Sequence, residues 1–200
     1  MRAKELVPIL ANEWGVPFET AFAVDRSLAE GGLRAKGKGR ALPQMDRREA
    51  TLFLIGCMAS PKSSRADEEV RFWADAVGHL DGYPVWFYDF DTEPVEIESP
   101  KIRTTLIDYL LWIMHELELM DSDVPTVDVR LCLHAGRAEI KFGTLNGTGL
   151  YTATFFNVEG VSLNNPDGVP SRLKREAAVD GRVLWEIIYR TEDPLAESAE

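Results

Sequence analysis

The reading of this chain turns on Val7-Pro-Ile-Leu-Ala-Asn-Glu-Trp-Gly-Val-Pro-Phe-Glu-Thr-Ala-Phe-Ala-Val-Asp-Arg26. Leu6, Ile9, Leu10 and Trp14 recur at helical spacing, which predicts a helix over Ala3 to Glu13. Gly15 breaks it. Pro17 has a fixed φ and no N–H, so it suits the first turn of a second helix, which runs to about Glu30. Ala21, Val24 and Leu28 form the inner face of that helix, and Gly31-Gly32 stop it. Asp46, with Glu49 three residues on, is a capping-box start for a third helix carrying Leu52, Phe53, Leu54, Ile55 and Met58. Residues 1–60 therefore read as a three-helix head.

Further along, Ala59 to Ala66 is rich in serine and proline and reads as a linker. A helix from about Asp67 to Val77 follows. The body, 67–192, then changes character. Val85 to Phe90 is a strand candidate opened by Pro84, and Lys101 to Met120 is a long helix apolar on more than one side. Such a helix is buried on several faces, either within the chain or against a second copy. Val127 to His134, Arg137 to Thr144 and Tyr151 to Phe156 alternate apolar and polar residues, so each buries one face. Ala135-Gly136 and Asn146 to Gly149 are the turns of the resulting antiparallel meander. A last strand near Leu173 to Val179 precedes a closing helix capped by Asp180, and the tail 193–200 is frayed. The fold class expected is α+β: a helical head followed by an antiparallel sheet packed with helices.

Charge is unevenly divided. Residues 1–60 hold nine Lys/Arg and seven Asp/Glu, a net of +2, whereas 61–200 hold thirteen and twenty-six, a net of −13 within the total of −11. An acidic body is repelled by bare nucleic acid, so any nucleic-acid contact belongs to the first segment. Its cations concentrate in Arg34-Ala-Lys-Gly-Lys-Gly-Arg40, where two glycines let the backbone approach a phosphate. Arg47 and Arg48 stand in the first turn of the third helix, where cations oppose the helix dipole; an anionic partner would offset that cost.

A pair of helices meeting at a sharp angle needs a small residue at the contact, a turn residue able to take positive φ, and an apolar interior. Ala11, Gly15 and the set Leu10, Trp14, Val16, Ala21 and Val24 supply these. Residues 7–26 thus resemble the helix-turn-helix DNA-binding regulators as a class. The resemblance implies that residues 17–27 enter the major groove of double-stranded DNA, with Pro17, Phe18, Glu19, Thr20 and Phe22 over the bases. None of these five is an Arg, Asn or Gln able to pair bidentately with a base. Glu19 accepts from cytosine, Thr20 contacts either kind of base, and Phe18 meets a thymine methyl. Arg34, Lys36, Lys38, Arg40, Arg47 and Arg48 would hold phosphates. The competing reading is a plain helical hairpin with Phe18 and Phe22 packed inward.

Other constellations carry less. Asp89, Asp91 and Glu93 share a strand face and offer a hard-cation geometry, or simply a charged edge. Cys132 and His134 share another face, but same-face neighbours on a strand stand about 7 Å apart, too far for a direct nucleophile–base bond. His115-Glu116 lacks the second histidine of a zinc-protease helix, with Leu119 in its place, and His79 has no evident partner. No phosphate-cradling loop, dinucleotide fingerprint or nucleophile elbow appears. Two cysteines among apolar neighbours fit a reducing cytosol, Met1 leads into no secretory signal, and no apolar run spans a bilayer. The expectation is a cytoplasmic, non-enzymatic, sequence-specific transcriptional regulator of phage or mobile-element type, without cofactor or metal. It is expected to work as a homodimer, with the acidic body used for dimerisation or a protein partner. A protein-binding adaptor or anti-activator without DNA contact is the alternative.

Overall fold

A computed structural model describes residues 2–37, 43–59, 65–79, 85–87, 95–97, 104–119, 126–133, 137–143, 150–156 and 176–191. The fold is α+β, as expected. Helix α1 (Ala3–Glu13) has the predicted bounds, helix α2 (Phe18–Glu30) starts one residue later than predicted with Pro17 as its N-cap, and both end in the same way. Gly15 at φ +66° and Gly32 at φ +75° take the left-handed conformation just past the two helices. Val16 N–H then bonds back to Ala11 O at 2.8 Å, and Leu33 N–H to Leu28 O at 2.9 Å. These six-to-one closures satisfy carbonyls that would otherwise be orphaned, and only glycine adopts the turn without a Cβ penalty.

Helix α3 (Arg47–Ala59) starts on the predicted capping box: Glu49 N–H donates to Asp46 Oδ1 at 2.7 Å, and Asp46 N–H to Glu49 Oε2 at 3.4 Å. Helix α4 (Ala66–Ala74) is shorter than its apolar pattern predicts, because Val77 joins the sheet instead. Strand β1 (Val77–His79) is followed by β2 (Val85–Phe87) and β3 (Val95–Ile97), which pair with each other as a separate ribbon, and by β4 (Thr104–Thr105). Helix α5 (Leu106–Leu119) begins several residues later than predicted. Thr105 ends β4 and caps the helix, its Oγ1 accepting from Asp108 N–H at 3.2 Å, while Leu106 N–H bonds Ala76 O at 2.8 Å.

The meander forms as read, in β5 (Thr126–Cys132), β6 (Arg137–Gly143) and β7 (Leu150–Phe156). Strand β8 (Glu176–Asp180) adds to β5, and helix α6 (Gly181–Arg190) starts on Asp180, whose Oδ1 accepts from Arg182 N–H at 3.0 Å. The antiparallel sheet has the order β4-β1-β7-β6-β5-β8. Its buried face carries Val127, Val129, Leu131, Ala138, Ile140, Ala153 and Phe155.

One core cluster runs from Ala3 through Phe53 and Leu110 to Ile188, so the segments 1–60 and 67–192 both contribute to it. Helix α5 is buried nearly all round, with Leu106, Tyr109, Leu110, Ile113, Met114 and Leu117 each at most 3% exposed. Its all-round apolarity is thus used within the chain, against α3, α4 and α6. Among the described residues no helix is long and apolar enough to cross a membrane. The two predicted meander turns, the linker core 60–64, Asp89, Asp91, Glu93, His134, Lys38, Arg40 and the tail 193–200 lie outside the described residues.

Candidate nucleic-acid interface

Helix α2 divides cleanly. Ala21, Val24 and Leu28 are fully buried against the core. Gly56 of α3 permits the approach of α2, since a Cβ there would stand 2.7 Å from Val24 Cγ1. Ser27 Oγ donates to Asp67 Oδ1 at 2.8 Å and accepts from Asp67 N–H at 3.1 Å, pinning α2 to the first turn of α4. Arg71 of α4 donates to Gly31 O and holds the far end. The opposite face is open: Phe18 is 52% and Phe22 43% exposed, with Glu19 and Arg26 also exposed and Thr20 half-buried. Phe18 and Phe22 therefore do not pack inward, and the plain-hairpin account of them fails. Their positions, with Arg26, are spaced by four, so the three form one stripe.

The basic segment leaves α2 at Leu33 and lies beside this stripe, held at three points. Arg34 forks onto Asp25 of α2, with Nε 2.6 Å from Oδ1 and Nη2 donating to Oδ2 at 3.0 Å. Ala35 N–H donates to Glu49 Oε1 at 2.7 Å, and Lys36 Nζ to Glu30 O at 3.4 Å. Between the segment and α2 lies an open groove of about 460 Å³, lined by Phe22, Asp25, Arg26, Glu30, Arg34 and Lys36 among others. Lys36 and Gly37 are exposed, and the chain continues from them toward Lys38 and Arg40.

Burial pushes the Asp25 carboxyl above its ordinary value of 3.8, outweighing the opposite pull of Arg34. Burial likewise raises Glu49, against hydrogen bonds from Ala35 and Asp46. A carboxyl easier to protonate in the fold than in the unfolded chain favours folding in acid. For Asp25 that contribution is complete below pH 3.8 and is lost as pH rises through the raised folded value.

The cations predicted to hold phosphates separate into two groups. Arg47 is 1% exposed and pairs with Glu118 Oε2 at 2.9 Å, so it has no surface to offer a ligand. Arg48 pairs with Asp108 Oδ1 at 2.9 Å. The anions that offset their unfavourable place on α3 are thus carboxylates of α5; buried Arg47 leaves the candidate phosphate set as a structural group, whereas Arg48, 49% exposed, keeps surface open to a ligand. Arg34 is likewise engaged, with its side chain 12% exposed. Lys36 remains at the groove. Arg26, which sequence reading does not single out, joins it; the signal was its spacing of four from Phe22.

The other constellations give no site among the described residues. No group of three or more His, Cys, Asp or Glu is placed to hold a metal ion there. Cys132 and Cys57 are free thiols. Burial pushes the Cys57 thiol up to about 12, which keeps it protonated and unreactive at neutral pH. No protein-family model, curated protein or solved structure matches the chain.

Proposed function

We propose that this protein is a sequence-specific DNA-binding transcriptional regulator of the cytoplasm, in which α2 lies in the major groove. The observation that carries this reading is the exposed stripe of α2 lying beside a cation-bearing segment, with an open groove between them. Phe18, Glu19, Thr20 and Phe22 face base edges; Arg26 and Lys36, continued by Lys38 and Arg40, hold phosphates. Four such contacts make log K fall by about 3.6 per log unit of salt. The acidic remainder of the chain suppresses loose association with DNA away from the site. A homodimer on a two-fold site is the assembly that such heads favour.

Selection of bound fragments from randomised DNA tests this directly. The intact chain is expected to enrich a motif. The variant Lys36→Ala/Lys38→Ala/Arg40→Ala is expected to lose most of its affinity, with a salt slope shallower by about 2.7. A folded protein that enriches nothing at low salt would turn the assignment toward the second reading, a protein-binding adaptor. The exposure of two phenyl rings on one helix face favours that reading, because aromatic anchors are frequent in protein interfaces.

Asp25 supplies a further expectation. In Asp25→Asn the fork on Arg34 is lost, which frees a cation at the edge of the groove and removes an anion from it. The variant is expected to bind DNA several-fold more tightly, with a salt slope steeper by about 0.9. Because burial raises the Asp25 carboxyl, acidification of the wild type should move it toward the variant, whereas the variant's own affinity should respond less to acid. Equal pH profiles for the two proteins would show that Asp25 does not restrain Arg34.

A further inference from the structure

We infer that Phe18 and Phe22 read the C5-methyl groups of two pyrimidines in the major groove, an inference that rests on the DNA-binding reading. The two rings lie four residues apart, one turn of α2, so their attachment points are about 6 Å apart along the helix axis. Neither ring is needed inside, since Ala21, Val24 and Leu28 already fill the inner face of α2. A phenyl ring carries no hydrogen-bonding atom. The major-groove edges of the base pairs present donors and acceptors throughout, and the C5-methyl of a pyrimidine is the one apolar group among them.

The rest of the helix leaves that role to the rings. From Pro17 to Asp25 there is no Arg, Asn or Gln, so bidentate readout of guanine or adenine is absent from the part of α2 that would meet bases. Helix α2 itself holds Glu19, Asp25 and Glu30 against Arg26, so the cations that suit a polyanionic occupant come from the segment that follows it. Gly31 to Met45 contains four cations and no acid; of the two described, Arg34 is paired with Asp25 of α2 and Lys36 meets the Glu30 carbonyl. Arg26 extends the stripe beyond the rings, toward the backbone. With about 3.4 Å between successive bases, rings whose attachment points are about 6 Å apart along the helix meet methyls roughly two base steps apart. Thymine and 5-methylcytosine present the same methyl, and both are admitted.

The test starts from the sequence that the intact chain selects. Each thymine is replaced in turn by deoxyuridine, which lacks only the methyl group, and affinity is measured for the wild type, Phe18→Ala and Phe22→Ala. Two positions about two base steps apart are expected, each weakening binding about fourfold on loss of its methyl. Phe22→Ala should become indifferent to the methyl at one position and Phe18→Ala at the other, with Phe22→Leu retaining sensitivity. Cytosine and 5-methylcytosine placed at the same positions separate the two sources: tighter binding of the methylated base than of thymine would mark a reader of modified DNA. Both rings are exposed, so the variants should unfold at wild-type temperatures. A selected motif in which no methyl removal matters would overturn this inference and leave the DNA reading standing. Absence of any selected motif would overturn both.

Discussion

Arg47→Ala should lower the free energy of unfolding by about 3 kcal/mol, while the same change at its neighbour Arg48 should cost less than about 1 kcal/mol. The two residues share a helix turn and a charge, and each meets a carboxylate of α5 at 2.9 Å. Their surroundings differ. The Arg47 side chain is 1% exposed, so its removal deletes packed methylenes and a charge-assisted hydrogen bond in a medium that screens poorly. Glu118, at 45% exposed, can turn to water afterwards, which keeps the loss at the lower end for a broken buried pair. Arg48 and Asp108 are 49% and 54% exposed; water screens that pair, and Thr105 Oγ1 still bonds Asp108 after the change. Urea denaturation with unchanged slopes would show the difference as two well-separated midpoints. Equal midpoints would mean that Arg47 is not held in the core. The same variants bear on function: folded Arg47→Ala should keep the wild-type salt slope for DNA, because its guanidinium reaches no phosphate.

The second large effect lies where β1 joins the meander. Gly78 of β1 stands opposite Phe155 of β7, and a Cβ built on Gly78 would overlap the Phe155 ring. Phe155 is fully buried and packs against Tyr109 of α5, with ring centroids 5.2 Å apart. The ring thus occupies the space that glycine leaves open and carries the contact from sheet to helix. Phe155→Ala should cost about 4 kcal/mol through the cavity it leaves. Gly78→Ala should cost about 2 kcal/mol, because a packed aromatic and its backbone must shift. In the double variant the added methyl enters the vacated space, so the total should fall short of the sum by about 2 kcal/mol. A double-mutant cycle from denaturant titrations measures this coupling. Additive losses would show that the ring does not lie over Gly78.

Much of the local architecture was legible in the residues themselves. Gly15 and Gly32 as helix stops, the Asp46/Glu49 box and the Asp180 cap are all interactions closed within a few residues, so their signals are contiguous in the chain. The alternation through 127–133, 137–143 and 150–156 is likewise a local imprint of a sheet with one buried face. Strand β1 was not legible: three residues are too few to display a period of two, and Val77 continues the apolar pattern of α4 just as well. Its place beside β7 depends on a ring that stands 77 residues away in the numbering, Gly78 against Phe155.

The candidate site divides in the same way. The exposed stripe of α2 and the cations of the following segment follow from helical spacing and composition. Which of those cations remain available does not, because it depends on where carboxylates from other elements come to rest. Arg47 meets a glutamate 71 residues on and Arg48 an aspartate 60 residues on, and pairings over such distances leave no periodic trace in a sequence. Helix formation, capping and strand alternation are dictated by neighbours along the chain. Neutralisation and burial of a charge are dictated by neighbours in space, and packing α3 across α5 turned Arg47, an apparent ligand-binding residue, into part of the scaffold while leaving Arg48 half-exposed.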